Sequence, residues 1–445
     1  MRRELPRKLG LLDAVAVIVG TLIGSGIFIA PILIARSLNS ETSILAVWAF
    51  TGVLSFFGAL AYAELGAMMP ATGGQYVFLR ESFGPLSAFL CGWTYFLVVS
   101  AGAIAWLAIS MAGYLSYFLP LSPVGSRVVA VAFIALVTLV NYRGVRAGAA
   151  VQKTFTLLKL LGLAVLIGAA FAMPGAPASA ASAGNAGFSL TRFGVAMIAC
   201  VVAYEGWMGV SFLAGEMKNP QRNVPLSLVL GLTICIAVYL VANSAYMRVL
   251  SIQEIAATER LGSLVAEKTL GAIGGAFVTV TILFSITGAA NGMMLAYPRM
   301  TFAQARDGLF FRRFGEIHPR FEAPSMAVLA HGAWAVVLAL SGTYETLASF
   351  AMIAAWLFYG MTAVGVLVLR RKHPDLPRPY RMWGYPVTPL LFAAVALAFV
   401  INTAVSTPVP ALSGLALVAA GIPVYRFWRR RARAGDAAVN PVTIA

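Results

Sequence analysis

The chain has 445 residues, of which 60% are hydrophobic and 11% charged, with a formal net charge of +16 and a mean hydropathy of +0.85. A water-soluble protein of this length cannot bury that much apolar surface, so lipid must be the solvent for much of it. Nucleic acid is a poor explanation of the charge, because the Arg and Lys residues collect in alternate loops, as membrane topology requires.

A membrane span needs ~20 apolar residues. Apolar runs predict about twelve spans, at 11–38, 43–68, 84–118, 125–142, 149–173, 192–216, 222–249, 271–305, 323–341, 343–370, 386–405 and 408–428. The run at 11–38 is too long for a secretory signal and lacks a small-residue cleavage site, so it reads as a true first helix. Asp13 at its start reads as a cap or dipole partner. Within it lies GTLIGSGIFIAP, with Gly20, Gly24, Ser25 and Gly26, a stretch that predicts a break in the helix. Glu64, near the end of the second span, and Glu216, at the end of the sixth, read as gate or packing charges. Lys153 suits snorkelling at the start of the fifth span, whereas Lys159 sits ~15 Å along that helix, where a lysine is costly and usually functional.

The stretch 174–191 is rich in Gly, Ala and Ser and reads as a flexible external connector. The sixth span carries VVAYEGWMGV, a second interruption at Ala203, Tyr204, Glu205, Gly206 and Trp207. The 251–268 loop reads as one or two short surface helices, and Asn291 in the eighth span as a hydrogen-bonding bridge between helices. His331 stands alone in the ninth span, and His318 and His373 in loops, a pattern without metal-ligand spacing. Cys91, Cys200 and Cys235 all fall within spans, which implies no external disulfide framework. The segment 429–445 reads as a basic, disordered tail.

With the N-terminus placed inside, the inner loops and ends collect most of the Lys and Arg, from Arg2, Arg3, Arg7 and Lys8 to Arg426, Arg429, Arg430, Arg431 and Arg433. The outer side receives only Arg36, Arg127, Arg192, Arg248, Arg260 and Lys268. This is the positive-inside pattern of an even number of spans with both termini cytoplasmic.

The two interruptions open blocks of five helices each, at spans one and six. An odd block length inverts the second block relative to the first, as in a five-plus-five inverted repeat. A break inside the bilayer frees backbone groups that lipid cannot satisfy, so it persists where it lines a cavity or meets a polar ligand. The N–H groups of Ser25, Gly26 and Ile27 would begin an outer half-helix whose positive end favours a carboxylate. Carbonyls near Tyr204 and Glu205 would accept from an ammonium group, so that one pocket reads both ends of a zwitterion. Gly-Ser-Gly by itself is explained equally well by tight helix packing; a second break five helices later favours the site.

These segments resemble the amino acid–polyamine–organocation superfamily, and within it the L-type amino acid transporters and their bacterial relatives. The resemblance rests on GTLIGSGIF, PATGGQYVFLRESFGP, FTLLKL, AYEGW, EMKNPQRNVP and ARDGLFFRRFGEIHPR, in that order, and covers roughly residues 9–430. It implies an all-α, LeuT-like five-plus-five fold with helices 11 and 12 outside the repeat, alternating access, and sodium-independent amino acid transport, often by exchange. It places substrate at Ile23, Gly24, Ser25, Gly26, Ile27, Val202, Ala203, Tyr204, Glu205, Gly206 and Trp207. Lys159 would put an ammonium in place of a sodium ion, tied to the first break and to Ser285, with Tyr239 beside it. Relatives carry Gly, Ser or Asp where Glu205 stands, and often a gating aromatic where Val202 stands. Glu205 would have to be protonated or paired, and could attract the substrate's amino group, favour a cationic side chain, accept protons, or merely cap the half-helix.

A membrane enzyme would need a catalytic constellation, and no G-x-S-x-G, H-E-x-x-H or P-loop pattern occurs. A channel would need a continuous polar pore or an oligomeric filter, and a sensor an added signalling domain. The expectation is a transporter of small neutral amino acids, or alternatively of cationic amino acids or polyamines with proton coupling. One transporter domain would span 1–428, with repeats at about 9–173 and 192–370 and helices 11–12 at about 386–428. No cofactor or metal is expected. The loop at 121–127 lacks the cysteine through which animal relatives bind a single-span glycoprotein, so the expected form is a monomer or weak dimer in an inner membrane.

Overall fold

The computed structural model describes residues 4–174, 189–342 and 344–439, and among these every regular element of more than one residue is helical. The first span is α1 (Leu11–Leu22) and α2 (Gly26–Ser37), bent by 43° at the break. There follow α3 (Glu41–Met68), a short α4 (Gln75–Phe83), and a third span built of α5 (Pro85–Thr94), a π-helical turn at Tyr95–Ser100 and α6 (Ala101–Leu115). The first half closes with α7 (Pro123–Tyr142) and α8 (Val145–Ala172).

The second half opens with α9 (Leu190–Ala203), a non-helical stretch and the one-turn α10 (Gly209–Phe212), followed by α11 (Pro220–Val249). Next come α12 (Ile252–Ala257), α13 (Leu261–Leu270), α14 (Gly274–Ala296) and α15 (Pro298–Arg306), and then α16 (Ser325–Ser341) and α17 (Tyr344–Lys372). The last two helices are α18 (Val387–Ser406) and α19 (Pro408–Val439).

Among the described residues nine helices are long and apolar enough to cross a bilayer, or ten with the bent pair as one span. The other two expected runs contain shorter apolar helices, Leu190–Ala203 and Ser325–Ser341. Each of the twelve hydropathic runs thus contains an apolar helix. One boundary moves substantially: α19 continues as helix to Val439, through most of the segment expected to be disordered. Residues 175–188 of the expected connector and 440–445 of the tail lie outside the described residues.

The hairpin α12–α13 realises the pair of surface helices expected at 251–268. Ser251 and Glu254 form a capping box, and Lys268 donates to Glu254 at 2.7 Å. Lys268 first, then the Ser251 amide and hydroxyl, hold the Glu254 carboxyl down at about 2. Arg36 Nε, at the end of α2, donates to the Ala256 carbonyl at 2.9 Å and ties this hairpin to the half-helix.

α1 packs between α11, α8 and α14, while α2 lies against α9, so each half of the broken first span has its own neighbours. The end of the bundle next to the N-terminus is held by ion pairs that join distant motifs. Glu216 and Arg299, both fully buried, pair at 2.7 Å. Glu64 accepts from Arg370 at 2.8 and 2.6 Å and from the Met382 amide at 2.8 Å. Asp307 accepts from Tyr76 at 2.8 Å and from Arg80 at 2.6 Å, which locks α4 to the ARDGLFF segment. The Lys8 and Leu9 amides donate to the Glu216 carbonyl at 2.8 and 2.9 Å, and the Lys218 amide returns a bond to Leu9. Asp13 caps the Gly10 amide at 2.8 Å and also pairs with Lys153 at 2.7 Å, so Lys153 has a partner as well as an exposed position.

Removing one member of a buried pair strands the other charge, at a cost of roughly 3–5 kcal/mol. Arg299→Ala is therefore expected to lower the unfolding midpoint in detergent sharply. The double variant Arg299→Met/Glu216→Met should recover most of that loss in the same thermal melt.

Candidate substrate site

The first break is an inverse γ-turn. Ile23 takes φ −73 and ψ 76, and the Gly24 amide folds back to the Leu22 carbonyl at 2.7 Å. Neither Gly24 nor Gly26 has a positive φ. Gly26 is needed for space, because a Cβ there would stand 3.2 Å from Ala203 Cα in the second break. At Gly24 a Cβ would meet nothing nearer than 3.9 Å, so its role is to leave the backbone open. The left-handed residue is in the other break: Gly206 has φ +119, and a Cβ on it would reach 2.6 Å from Thr21 Cγ2.

α1 ends with carbonyls that helix geometry leaves unpaired. Side chains from three helices reach them. Lys159 Nζ, 1% exposed on α8, donates to Gly20 O at 2.5 Å and to Ile23 O at 2.6 Å. Ser285 Oγ, on α14, donates to Ile23 O at 2.7 Å. The Tyr239 hydroxyl, on α11, lies 2.7 Å from both Leu22 O and Ala203 O. One phenolic proton thereby serves the carbonyl ends of both broken helices. The lysine charge sits at the negative end of the α1 dipole, a favourable place for a cation.

Lys159 arrives there on a polar stripe of α8: Gln152 and Thr156 donate to Ala16 O at 3.3 and 3.2 Å, two turns and one turn earlier. Gly288 makes room for it, since a Cβ there would lie 3.4 Å from the ammonium. Asn291 donates to Gly148 O and Gln152 Oε1 at 2.9 and 2.8 Å and accepts from Asn141 at 2.9 Å, the bridging role expected of it.

The amide end of the break behaves differently. Among the described residues, no backbone carbonyl accepts from the N–H groups of Ser25, Gly26 and Ile27. They face the start of α2, the positive end of a helix dipole. Beside them opens a cavity of about 350 Å³ between α2, α6, α9, α14 and α17. Its polar lining is Thr21, Ser25, Tyr297 and Glu205, with the backbone at Gly24 and Gly26. The rest is apolar, including Ala103, Trp106, Val202, Met293 and Met352. Ile29, Leu33 and Val202 on its walls are exposed, so the cavity opens along the α2–α9 side. Behind the lining, the rings of Tyr359, Trp207 and Tyr62 pack in sequence on one another.

Of the residues expected around substrate, Gly24, Ser25, Gly26, Val202, Ala203 and Glu205 line this cavity. Ile23, Ile27, Tyr204, Gly206 and Trp207 do not, each for a local reason. Ile23 is buried and its carbonyl is taken by Lys159 and Ser285. Ile27 is buried on the core face of α2, and Gly206 is pressed against Thr21. Tyr204 turns away to donate to Trp48 O at 3.2 Å, inside a ring cluster with Trp48 and Tyr239. Trp207 packs edge-on against Tyr62 at 5.0 Å.

Two residues that the sequence reading passed over stand behind Glu205, outside the cavity lining. The Tyr359 hydroxyl, on α17, donates to Glu205 Oε1, and Tyr95 donates to Tyr359 at 3.1 Å. Glu205 is therefore held by a phenol and not by a cation. Tyr95 opens the π-helical turn, which no sequence signal marked. Tyr359 was legible as a hydroxyl at depth in an apolar run, although nothing tied it to Glu205. His331 lies between Ser100 at 3.0 Å and Thr301 at 2.9 Å, away from the cavity.

The family model described as amino acid permease matches residues 9–425. The serine/threonine exchanger SteT of Bacillus subtilis (strain 168) is 31% identical over 96% of this chain and 98% of its own length. The b(0,+)-type amino acid transporter 1 of Mus musculus is 31% identical over 91% of this chain and 84% of its own. The cystine/glutamate transporter of Homo sapiens is 30% identical over 95% and 85%.

Leaving a buried carbonyl without its donor costs about 1–3 kcal/mol. Tyr239→Phe, which leaves the Ala203 carbonyl without a donor and takes one of two donors from Leu22 O, is expected to lower the unfolding midpoint in detergent more than Tyr204→Phe, which removes one long bond.

Proposed function

The chain belongs to the amino acid permease family, and from that premise we propose that it exchanges small neutral amino acids across the cytoplasmic membrane, without sodium, by alternating access. The observation that carries the sodium-independent part is the Lys159 ammonium on the Gly20 and Ile23 carbonyls, with Ser285 on the same oxygen. A fixed cation there uses the oxygens that a mobile one would need. An amino acid carboxylate fits the free amides of Ser25, Gly26 and Ile27, and its ammonium fits the open side of the second break near Glu205. The apolar remainder of the cavity then receives the side chain, and about 350 Å³ suits a small one. Exchange is supported by the relative named as an exchanger.

A second reading rests on Glu205, the only acidic residue among the described residues that line the cavity. A carboxylate held only by Tyr359 has capacity left for a cationic side chain, or for a proton carried with substrate. The b(0,+)-type relative keeps this reading in view through its similarity alone.

The domain reading carries over as proposed: repeats at about 9–173 and 192–370, with the last two helices outside them. The similarity to a bacterial exchanger supports an inner-membrane location, and the charge bias supports cytoplasmic termini. Cys91, Cys200 and Cys235 are free and buried, which supports function without a disulfide-linked partner.

Proteoliposomes loaded with alanine test the first reading. Alanine uptake should be the same in sodium and choline media, should require internal amino acid, and should fall to background in Lys159→Ala. Sodium-stimulated uptake, or near wild-type uptake by Lys159→Ala, would overturn it. Glu205→Gln separates the two readings. An arginine-to-alanine uptake ratio at least about tenfold lower than wild type, the equivalent of ~1.4 kcal/mol, supports the cationic one, and an unchanged ratio supports the neutral one.

A further inference from the structure

The transport site leaves one strongly charged feature unused. Arg426, Arg429, Arg430 and Arg431 lie within two turns of α19, and among the described residues no carboxylate pairs with any of them. The helix from Pro408 to Tyr425 rises about 27 Å, close to the thickness of the hydrocarbon. The guanidinium groups therefore emerge at the level of the lipid headgroups, while Tyr425 and Trp428 are buried against Phe89 and Leu309.

Tertiary packing adds to the charge. The Phe311 ring packs on Trp428 at 5.0 Å, which brings the exposed Arg312 and Arg313 to the same end of α19. Positive-inside topology accounts for charge there, but not for the shape beside it. A groove of about 300 Å³ runs between α19 and the start of α5, lined by Leu86, Ile422 and Tyr425 with Arg426, Arg429 and Arg430. Arg426 and Arg430, one turn apart, also border a second hollow with Pro423 and Phe427. An aliphatic wall under a rim of guanidinium groups complements an acyl chain topped by a phosphate.

We propose that this groove is a binding site for an anionic phospholipid of the surrounding leaflet. Arg426, Arg429 and Arg430 hold the headgroup phosphate, and Leu86 and Ile422 hold the first stretch of an acyl chain. The bound lipid bridges α5 and α19, which already meet through Trp93 Nε1 and Leu417 O at 3.1 Å and through the rings of Phe89 and Tyr425. It should therefore stabilise the packing of the last helix on the third span. The site is independent of the substrate reading and stands or falls separately.

Detergent-purified protein titrated with phosphatidylglycerol, with phosphatidylcholine of the same chains, or with inorganic phosphate tests this. Phosphatidylglycerol should raise the unfolding midpoint and stay bound in native mass spectra, whereas the other two should do neither. Arg426→Gln/Arg430→Gln should retain phosphatidylglycerol about tenfold less well, or worse. The charge-matched control Arg127→Gln/Arg192→Gln, near the starts of α7 and α9 and away from the groove lining, should behave as wild type. Leu86→Trp fills the groove and keeps every arginine, and it too should lose lipid, which decides the matter if the arginine variant misfolds. Equal retention of the two lipids, unchanged retention by Leu86→Trp, or a shift produced by phosphate alone would overturn the proposal.

Discussion

A helix that stops inside a bilayer exposes carbonyl oxygens that lipid cannot satisfy, and the Lys159 ammonium on the end of α1 is the contact that makes this break tolerable. Its energetics work in both directions. A lysine at that depth is costly unless its protons are used, and the orphan carbonyls are costly unless donors reach them. Each defect removes the other. Ser285 and Tyr239 finish the task from α14 and α11, so three helices converge on one turn of backbone.

That convergence has a consequence for the amide side. Once the carbonyl ends of α1 and α9 are occupied, Gly26 can sit against Ala203 and bring the two breaks into contact. The amides at the start of α2 remain without backbone partners and face a cavity whose other walls are apolar. Polar capacity is thus concentrated at one spot. Such a spot can recognise a charged headgroup common to many substrates, while the apolar wall discriminates between side chains. The amino acid permease family to which the chain belongs uses substrates of that form, a charged backbone bearing a variable side chain.

The opposite end of the bundle is closed by a different kind of bond. Glu216–Arg299, Glu64–Arg370 and Asp307 with Tyr76 and Arg80 each join segments far apart in the chain. Charged pairs with directional hydrogen bonds are discrete contacts, made or broken as units. The cavity side, in contrast, is walled mainly by apolar side chains.

Several of these features were legible in the sequence because they are local. Apolar run length marks the spans, Gly-Ser-Gly and AYEGW mark the breaks, and the depth of Lys159 within its run marks it as a residue needing a partner. Odd spacing between the breaks orients the two halves. Tertiary structure alone decided which oxygen each donor meets, that Tyr204, Ile27 and Trp207 turn into the core, and that Glu205 rests on Tyr359. The reason is geometric. Hydropathy reports the depth of a residue in the membrane, whereas the face it presents depends on helix rotation, on kinks such as the inverse γ-turn at Ile23, and on the π-helical turn that aims Tyr95. Depth is written in composition along the chain; azimuth is settled by packing between helices.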